Sequence, residues 1–279
     1  MNSNNNSIGA IDSTDLATGA MAGTAKITAT LDGITNPAVS LTGEAVISPE
    51  SKVTMVKGRS VWYREEGMRI PILILAGWGG PTDSYFTIQD ILAKQGYNVF
   101  LPDLPGLPGK TLSTLIPLDG WGSWIQEFWD AVIGEKFFIV AHSLSGQIAL
   151  QYASKEGTQC LGVIFLNPWF LSTFCQEIFY RLVAKGIRFL CPLVYPEMKW
   201  VRNGKTWTTA VDLLCTMHEQ PKAPCIIFLG KKDPATYLFG GWKKVHCKTK
   251  QYNWDHSPQI TTPDQLATAI DEFIRITNK

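Results

Sequence analysis

The chain has 279 residues, of which 45% are hydrophobic and 18% are charged, and its formal net charge is +1. This length suits one large α/β domain with an ample core, and the composition is typical of a folded globular protein rather than a disordered one. Because a net charge near zero gives no long-range attraction for phosphates, nucleic acid is not an expected partner.

Cysteine usage and hydropathy predict the compartment. Six cysteines stand in mostly apolar surroundings, at positions 160, 175, 191, 215, 225 and 247. They form no C-x-x-C pair and lack the histidine spacing of a zinc site, so the pattern predicts buried free thiols and no metal. No signal peptide is recognisable, and no apolar run reaches the ~18 residues of a membrane-spanning helix. These features predict a cytoplasmic location without a membrane span.

Residues 1–50 differ from the rest of the chain. They are rich in Asn, Ser, Thr, Gly and Ala, and the first aromatic residue of the chain is Trp62. The composition predicts a low-complexity N-terminal extension with little to anchor it in a core. Within it, "KITATL" and "AVSLTGEAVI" alternate apolar and polar residues, as the two strands of a β-hairpin do. The main domain is expected to span residues 51–279.

From Val53 onward, strand and helix patterns alternate along the chain. "VTMVKGRSVWYREE" predicts two strands around a Lys57-Gly58 turn. Further strands are predicted at "IPILILAG", "YNVFLPD", "KFFIVAHS", "LGVIFLNP", "APCIIFLG" and "KKVHCKTKQYN". Helical spacing occurs in "YFTIQDILAKQG", "WGSWIQEFWDAVIG", the segment from Leu144, and "TPDQLATAIDEFIRIT". The alternation predicts a mainly parallel sheet with helices on both faces, and such sheets bind ligands at the carboxyl ends of their strands.

Ser143 lies where the strand "VAHS" turns at once into a helix. A tight turn of this kind presents the hydroxyl above the sheet edge and requires small neighbours. Ala141, Ser145 and Gly146 meet this requirement, although the usual G-x-S-x-G becomes A-x-S-x-S-G. The pattern predicts a nucleophilic serine, and a serine that only caps the following helix is the alternative interpretation.

Several segments, in order, resemble the α/β-hydrolase family from about Val53 to the carboxyl terminus. "LAGWGGPTDSYF" is similar to the family's oxyanion loop and "EKFFIVAHSLSG" to its nucleophile elbow. "APCIIFLGKKDP" is similar to the strand that ends in the acid, and "WDHSPQITTPDQLATAIDEFI" to the histidine loop and final helix. The resemblance implies the α/β-hydrolase fold and hydrolase chemistry, for which no cofactor is expected.

The resemblance also implies a catalytic triad, with Ser143 as nucleophile, Asp233 as acid and His256 as base. A serine hydroxyl is a weak nucleophile until an imidazole takes its proton, and a buried carboxylate holds that imidazole in the required tautomer. Asp255 and Asp212 remain alternative acids.

The other histidines fit the base role less well. His142 adjoins Ser143 and is expected to point away from it, His246 lies within a strand pattern, and His218 lies near a proposed insertion.

Two further features follow from the resemblance. The backbone N–H groups of Trp78 and Leu144 are expected to form the oxyanion hole, although the family's frequent His-Gly at this loop is replaced by Ala76-Gly77. An insertion at about 168–222 is expected to form a small helical lid, in which Trp169 and Phe170 line an acyl pocket.

The function expected from these residues is cleavage of small or medium carboxylic esters by a serine hydrolase, through an acyl-enzyme. Serine rather than aspartate at the elbow argues against the dehalogenase and epoxide-hydrolase branches. Carbon–carbon bond hydrolases, thioesterases, lactonases, amidases and haloperoxidases share the same triad and remain open. A non-catalytic ligand-binding protein of this fold is the alternative from a different class. The expected partner is a small-molecule ester.

Overall fold

A computed structural model describes residues 51–77, 82–105, 116, 120–155, 159–170, 220–234 and 240–278, with the backbone of short strands within residues 1–50. The chain divides into two units. Residues 1–50 with 191–199 form one unit, and residues 51–190 with 200–279 form the other.

The strands of the first unit are short. They are β1 (Asn2–Ser3), β2 (Gly9–Ile11), β3 (Ala17–Gly19), β4 (Gly23–Thr28), β5 (Thr30–Leu31), β6 (Ile34–Thr35) and β7 (Val39–Gly43). β4 pairs antiparallel with both β1 and β7, while β2 pairs with β3 and β5 with β6. The β4–β7 pair joins parts of the two segments whose alternation predicts a hairpin, with Lys26 opposite Ser40.

The second unit contains an eight-stranded sheet. Its strands are β8 (Ser51–Val56), β9 (Arg59–Gly67), β10 (Ile70–Leu75), β11 (Tyr97–Pro102), β12 (Phe137–His142), β13 (Cys160–Leu166), β14 (Cys225–Gly230) and β15 (Lys248–Tyr252). Their order is β15-β14-β13-β12-β10-β11-β9-β8. Along this spatial order, the six strands β15, β14, β13, β12, β10 and β11 pair in parallel. β9 pairs antiparallel with β11 and with β8. The prediction of a mainly parallel sheet is therefore confirmed.

Two details of the strands follow from local sequence. The β8–β9 turn has φ of 52° at Lys57 and 68° at Gly58, and left-handed backbone at both positions is what a two-residue hairpin turn requires. The prediction that all of "KKVHCKTKQYN" is a strand is wrong in its first half, because Gly241–Lys244 forms a 3₁₀ turn and β15 begins at Lys248.

Helices cover both faces of this sheet, as the alternating pattern predicts. They are α1 (Phe86–Lys94), α2 (Trp121–Phe128), α3 (Ser145–Lys155), α4 (Pro258–Thr261) and α5 (Pro263–Thr277). One apolar cluster joins α2 and α3 to the sheet through residues such as Trp121, Ile148 and Phe165. A second joins α1 and α5 to it through residues such as Ile88 and Ile270. Burial on both faces explains why the central strands are continuous apolar runs.

The cysteine prediction is wrong for two of the six positions. Cys225 and Cys247 form a disulfide with a Cα–Cα distance of 5.2 Å. β14 and β15 pair in parallel with Ile226 opposite Lys248, so the residues just before them face each other. Cys160 is a buried free thiol as expected, and burial raises its pKa to about 12. The cysteines at 175, 191 and 215 lie outside the described residues.

Removal of this disulfide is expected to lower the free energy of unfolding by roughly 3 kcal/mol in a Cys225→Ser, Cys247→Ser double variant. The bond closes a loop across a sequence separation of 22 residues, and a loop of that size removes this much chain entropy from the unfolded state. Urea unfolding without reductant measures the difference. Dithiothreitol should lower the stability of the wild type and leave the double variant unchanged; equal stability of the two proteins would contradict the bond.

Candidate active site

Ser143 occupies the turn between β12 and α3 with φ of 56°, in the left-handed region that residues other than glycine rarely adopt. Its N–H donates to the carbonyl of Leu166 at 2.9 Å, which fixes the turn against β13. A Cβ at Gly146 would lie 3.1 Å from the Cβ of Pro168, so the helix and the chain after β13 approach closely here. The strained turn and its small neighbours match the pattern expected at a nucleophile elbow.

The three residues expected to form the triad lie in one hydrogen-bonded line. His256 Nε2 is 3.2 Å from Ser143 Oγ, and His256 Nδ1 is 2.8 Å from Asp233 Oδ2. The Asp233 side chain is 2% exposed and that of His256 is 31% exposed. Because a carboxylate only accepts, Nδ1 of neutral His256 carries the proton and Nε2 is the acceptor that faces the serine hydroxyl.

The alternative residues have other positions. The carboxylate of Asp255 accepts from the N–H of Ser257 at 2.9 Å and from the hydroxyl of Thr261 at 3.0 Å, so it stabilises the turn that leads into α4. His246 is exposed, and its N–H donates to Gln220. Asp212 and His218 lie outside the described residues.

Asn167, which the sequence analysis did not single out, connects the end of β14 to the loop that contains His256. Its amide nitrogen donates to the carbonyls of Asp255 and His256 at 2.9 and 3.1 Å, and its Oδ1 accepts from the N–H of Gly230 at 2.7 Å. A Cβ at Gly230 would lie 2.6 Å from the carbonyl oxygen of Trp254, so the loop and the strand end are in backbone contact. A polar residue directly after a buried strand, as in "FLNP", is the signal that could have found it.

A second buried chain of hydrogen bonds connects the loop before Trp78 to the backbone of His256. The N–H of Gly77 donates to the hydroxyl of Tyr85 at 2.9 Å, and this hydroxyl lies 2.5 Å from His142 Nδ1. His142 Nε2 lies 2.7 Å from the carbonyl oxygen of His256. Because a carbonyl only accepts, Nε2 carries the His142 proton and Nδ1 accepts from Tyr85. His142 bonds these two partners instead of Ser143, in line with its expected direction.

Burial keeps this second chain neutral. Burial, with a smaller contribution from the neighbouring His256, lowers the pKa of His142 from 6.5 to about 3. Burial likewise raises the pKa of Tyr85 above its ordinary value. A Cβ at Gly77 would lie 2.5 Å from His142 Nδ1, so only glycine fits at this contact.

The burial of His142 predicts a stability that depends on pH. In the unfolded chain the pKa of this imidazole returns to about 6.5, so below that pH the unfolded state binds one more proton than the folded state. The stabilisation is complete above about pH 6.5 and is lost as the pH falls toward 3. We therefore expect the difference in unfolding free energy between wild type and His142→Gln to shrink by ~1.4 kcal/mol per pH unit between about pH 6 and 4.

Urea unfolding of both proteins at each pH measures this difference. Tyr85→Phe is the matched control, because it breaks the same chain and keeps the imidazole, so its difference from wild type should change little with pH. A wild type to His142→Gln difference that stays constant over this range would show that His142 is already charged in the folded protein.

The expected oxyanion donors are partly described. Leu144 is buried directly before α3, where the first N–H groups of a helix have no acceptor within it. Trp78 lies outside the described residues, but the preceding Ala76 accepts a hydrogen bond from the hydroxyl of Ser145. The chain is therefore fixed to the first turn of α3 at Ala76, two residues before Trp78.

The two expected pocket residues differ in position. The ring of Trp169 is half-buried, with its centroid 5.4 Å from that of His256. Phe170 is fully buried, and its ring packs edge-on against Phe165. Of the expected lid, residues 171–219 lie outside the described part of the chain.

Within the described ranges, no group of three His, Cys, Asp or Glu side chains could hold a metal ion. No helix in that part of the structure is long and apolar enough to cross a membrane.

The comparisons with known proteins agree with the architecture. A family model described as the α/β hydrolase fold matches residues 70–183. A bacterial membrane phospholipase A, described as a virulence factor, is 17% identical over 82% of this chain and 86% of its own, with a TM-score of 0.62. A thermophilic esterase from Thermogutta terrifontis is 15% identical over 82% and 99%, with a TM-score of 0.60. An epoxide hydrolase from Vigna radiata is 16% identical over 81% and 97%, with a TM-score of 0.59.

No curated protein matches the sequence at a significant level. At such low identities the structural likeness concerns the fold. Together with the family match, it identifies the chain as an α/β-hydrolase-fold protein, which confirms the resemblance read from the sequence.

Proposed function

We propose that this protein is a serine hydrolase that cleaves small or medium carboxylic esters through an acyl-enzyme. The observation that supports this most directly is the unbroken line from Asp233 through His256 to Ser143, with contacts of 2.8 and 3.2 Å. The esterase and phospholipase named among the structural neighbours are consistent with hydrolysis of an ester bond.

In this mechanism His256 Nε2 takes the proton of Ser143 as Oγ attacks the ester carbonyl. The buried Asp233 carboxylate stabilises the imidazolium that forms, and the N–H groups of Leu144 and Trp78 stabilise the oxyanion. His256 then gives its proton to the departing alcohol. Water, activated by the same imidazole, hydrolyses the acyl-enzyme and restores the serine.

The serine at the elbow does not suit the reaction named for the epoxide-hydrolase neighbours. A carboxylate that opens an epoxide forms an ester, which water can hydrolyse, whereas a serine alkoxide would form a stable ether. If Ser143 is the nucleophile of a complete catalytic cycle, it must therefore act on an acyl group. This favours esters over epoxides as substrates of this chain.

Labelling with a fluorophosphonate probe tests the proposal. The wild type should be labelled at Ser143, and Ser143→Ala should not be labelled. Absence of labelling in the folded wild type would favour the non-catalytic ligand-binding alternative. Labelling without hydrolysis of any ester in a p-nitrophenyl panel would favour carbon–carbon bond hydrolase or amidase chemistry on the same triad.

The acyl-chain preference gives a further prediction. We expect kcat/KM for p-nitrophenyl esters to peak at short or medium acyl length, because each buried methylene contributes ~0.8 kcal/mol only until the pocket is filled. Trp169→Ala should move the peak to longer chains, since its ring lies beside His256. Phe170→Ala is the matched control and should chiefly reduce stability, by about 3–5 kcal/mol for a buried Phe. A profile that rises steadily through long chains would favour a true lipase.

A separate proposal is that the protein is located in the cytoplasm. The cytoplasmic location predicted from the sequence implies reduced thiols, whereas a stable disulfide is typical of oxidising compartments. Alkylation of the protein in intact cells tests this at Cys225 and Cys247. Modified thiols at both positions would support the cytoplasm, and protected ones would favour an oxidising compartment.

A further inference from the structure

The sheet face beneath α5 is apolar on β14 and carries lysines on the edge strand β15. Alternate residues of a strand share a face, and on this face β14 presents Ile226 and Phe228. The neighbouring edge strand β15 presents Lys248, Lys250 and Tyr252 to the same side. Lysine on an edge strand discourages pairing with other chains, but here the two lysines and the tyrosine also border a cavity.

The cavity is a groove of about 650 Å³ between these two strands and α5. The helix contributes Ala269, Glu272, Phe273 and Ile276 to its wall. Its volume lies within the ~300–1,000 Å³ of small-molecule sites. None of the residues of the proposed triad lines the groove, so it is separate from the candidate active site.

The charge around the groove is positive. Three ammonium groups line it, those of Lys222, Lys248 and Lys250, against the single carboxylate of Glu272, so two positive charges remain in excess. Glu272 pairs with Lys250 at 2.8 Å. The ammonium of Lys222 lies 3.4 Å from the carbonyl oxygen of Lys155, which leaves its charge without a counterion among the lining residues. The groove therefore combines an apolar floor with an uncompensated cationic side.

The Tyr252 hydroxyl adds a donor to that side. Its oxygen is buried beside the Lys250 ammonium, which can only donate to it, and no acceptor for the hydroxyl hydrogen lies in the described part of the chain. Buried hydroxyl groups are normally hydrogen-bonded, so an acceptor group in the groove would satisfy this one.

We propose that this groove binds a single-chain anionic amphiphile, namely a medium- or long-chain carboxylate. The carboxylate lies on the side of Lys248, Lys250 and Tyr252, and the alkyl chain lies along Ile226 and Ile276. A neutral or cationic head group would leave Lys248 without a counterion in the groove, since Glu272 already pairs with Lys250, and a short carboxylate would leave the apolar floor in water. The proposal does not depend on the chemistry of Ser143.

Calorimetric titration of dodecanoate into the full-length Ser143→Ala protein tests this, because the substitution removes covalent chemistry at the triad. We expect one saturable site that weakens at least tenfold in Lys248→Glu and in Ile276→Glu. Lys136→Glu and Met68→Glu are the matched controls, since both residues are exposed and lie outside the groove, and they should bind as tightly as the parent. Thermal melts of each variant establish that it is folded.

A photoactivatable fatty acid then maps the site in the same protein. Labelling of residues 248–252 and 269–277 is the expected result. Absence of saturable binding, undiminished binding in both groove variants, equal binding of decyltrimethylammonium, or labelling confined to the surroundings of residue 143 would each overturn the proposal. Dimerisation that Ile276→Glu abolishes, without dodecanoate binding, would assign the groove to a second copy of the chain instead.

Discussion

Ser143→Ala is expected to reduce kcat for ester hydrolysis by on the order of 10⁶, the loss known when a serine nucleophile of this type is removed. The hydroxyl lies 3.2 Å from His256 Nε2, and without it the base has no nucleophile to deprotonate. Release of p-nitrophenol by purified wild type and variant measures the effect. A variant that retains more than a small fraction of the wild-type rate would remove Ser143 from the nucleophile role.

The matched control for folding is Ser143→Gly. The φ of 56° at this position is strained for serine and for alanine, whereas glycine adopts it freely. Ser143→Gly should therefore be as inactive as Ser143→Ala. Its free energy of unfolding in urea should equal that of Ser143→Ala or exceed it by up to about 1 kcal/mol. Loss of activity in both variants with a retained unfolding transition separates a missing nucleophile from a misfolded elbow.

Most of the central fold could be predicted because its signals are local. Apolar runs such as "IPILIL" and "FFIVAH" are buried on both faces, and the helices that cover them have a clear 3.6-residue spacing. The roles of Ser143, Asp233 and His256 stay predictions; the strand–helix junction singled out Ser143, the resemblance singled out the other two, and the structure brings the three side chains within hydrogen-bond distance. The first half of "KKVHCKTKQYN" is the segment whose predicted strand is wrong, because its lysines and single cysteine give no periodic signal that separates a 3₁₀ turn from a strand.

The supporting contacts could not be predicted, because they depend on which strands are neighbours and on their register. β10 lies beside β12 with Leu75 opposite Ala141, which brings Gly77 close to His142. β12 pairs with β13 so that His142 faces Leu166, and Asn167 therefore follows next to the elbow. The same dependence hides the Cys225–Cys247 disulfide. Sequence separation does not indicate such neighbours, so nothing distinguished Tyr85 and Asn167 from the other residues of the predicted helix and strand that contain them.

The two hydrogen-bonded chains converge on the backbone of His256, whose carbonyl accepts from both His142 and Asn167. The main chain of His256 is therefore held at once by His142, from the end of β12, and by Asn167, which follows β13. Among the described residues, Asp233 is the one carboxylate that bonds the His256 ring. Changing Asp233 should therefore alter the ring of His256 while its main chain stays in place.

Asp233→Asn is expected to lower kcat by on the order of 10⁴, by analogy with the serine-protease triad. The amide can donate to His256 Nδ1, which places the imidazole proton on Nε2, where it faces Ser143 and blocks proton transfer from the hydroxyl. The neutral amide also fails to stabilise the imidazolium that forms during acylation. Steady-state rates with a p-nitrophenyl ester, together with circular dichroism to establish folding, measure the loss.

Asp255→Asn is the matched control, because this second carboxylate is in the next residue to His256 but bonds Ser257 and Thr261 instead of the ring. It should change kcat by less than about tenfold, since only a turn hydrogen bond is weakened, worth ~1 kcal/mol. Both substitutions replace a carboxylate by an amide close to His256, so the loss of a charge alone does not distinguish them. A near-normal rate in Asp233→Asn, or a larger loss in Asp255→Asn, would move the acid role away from Asp233.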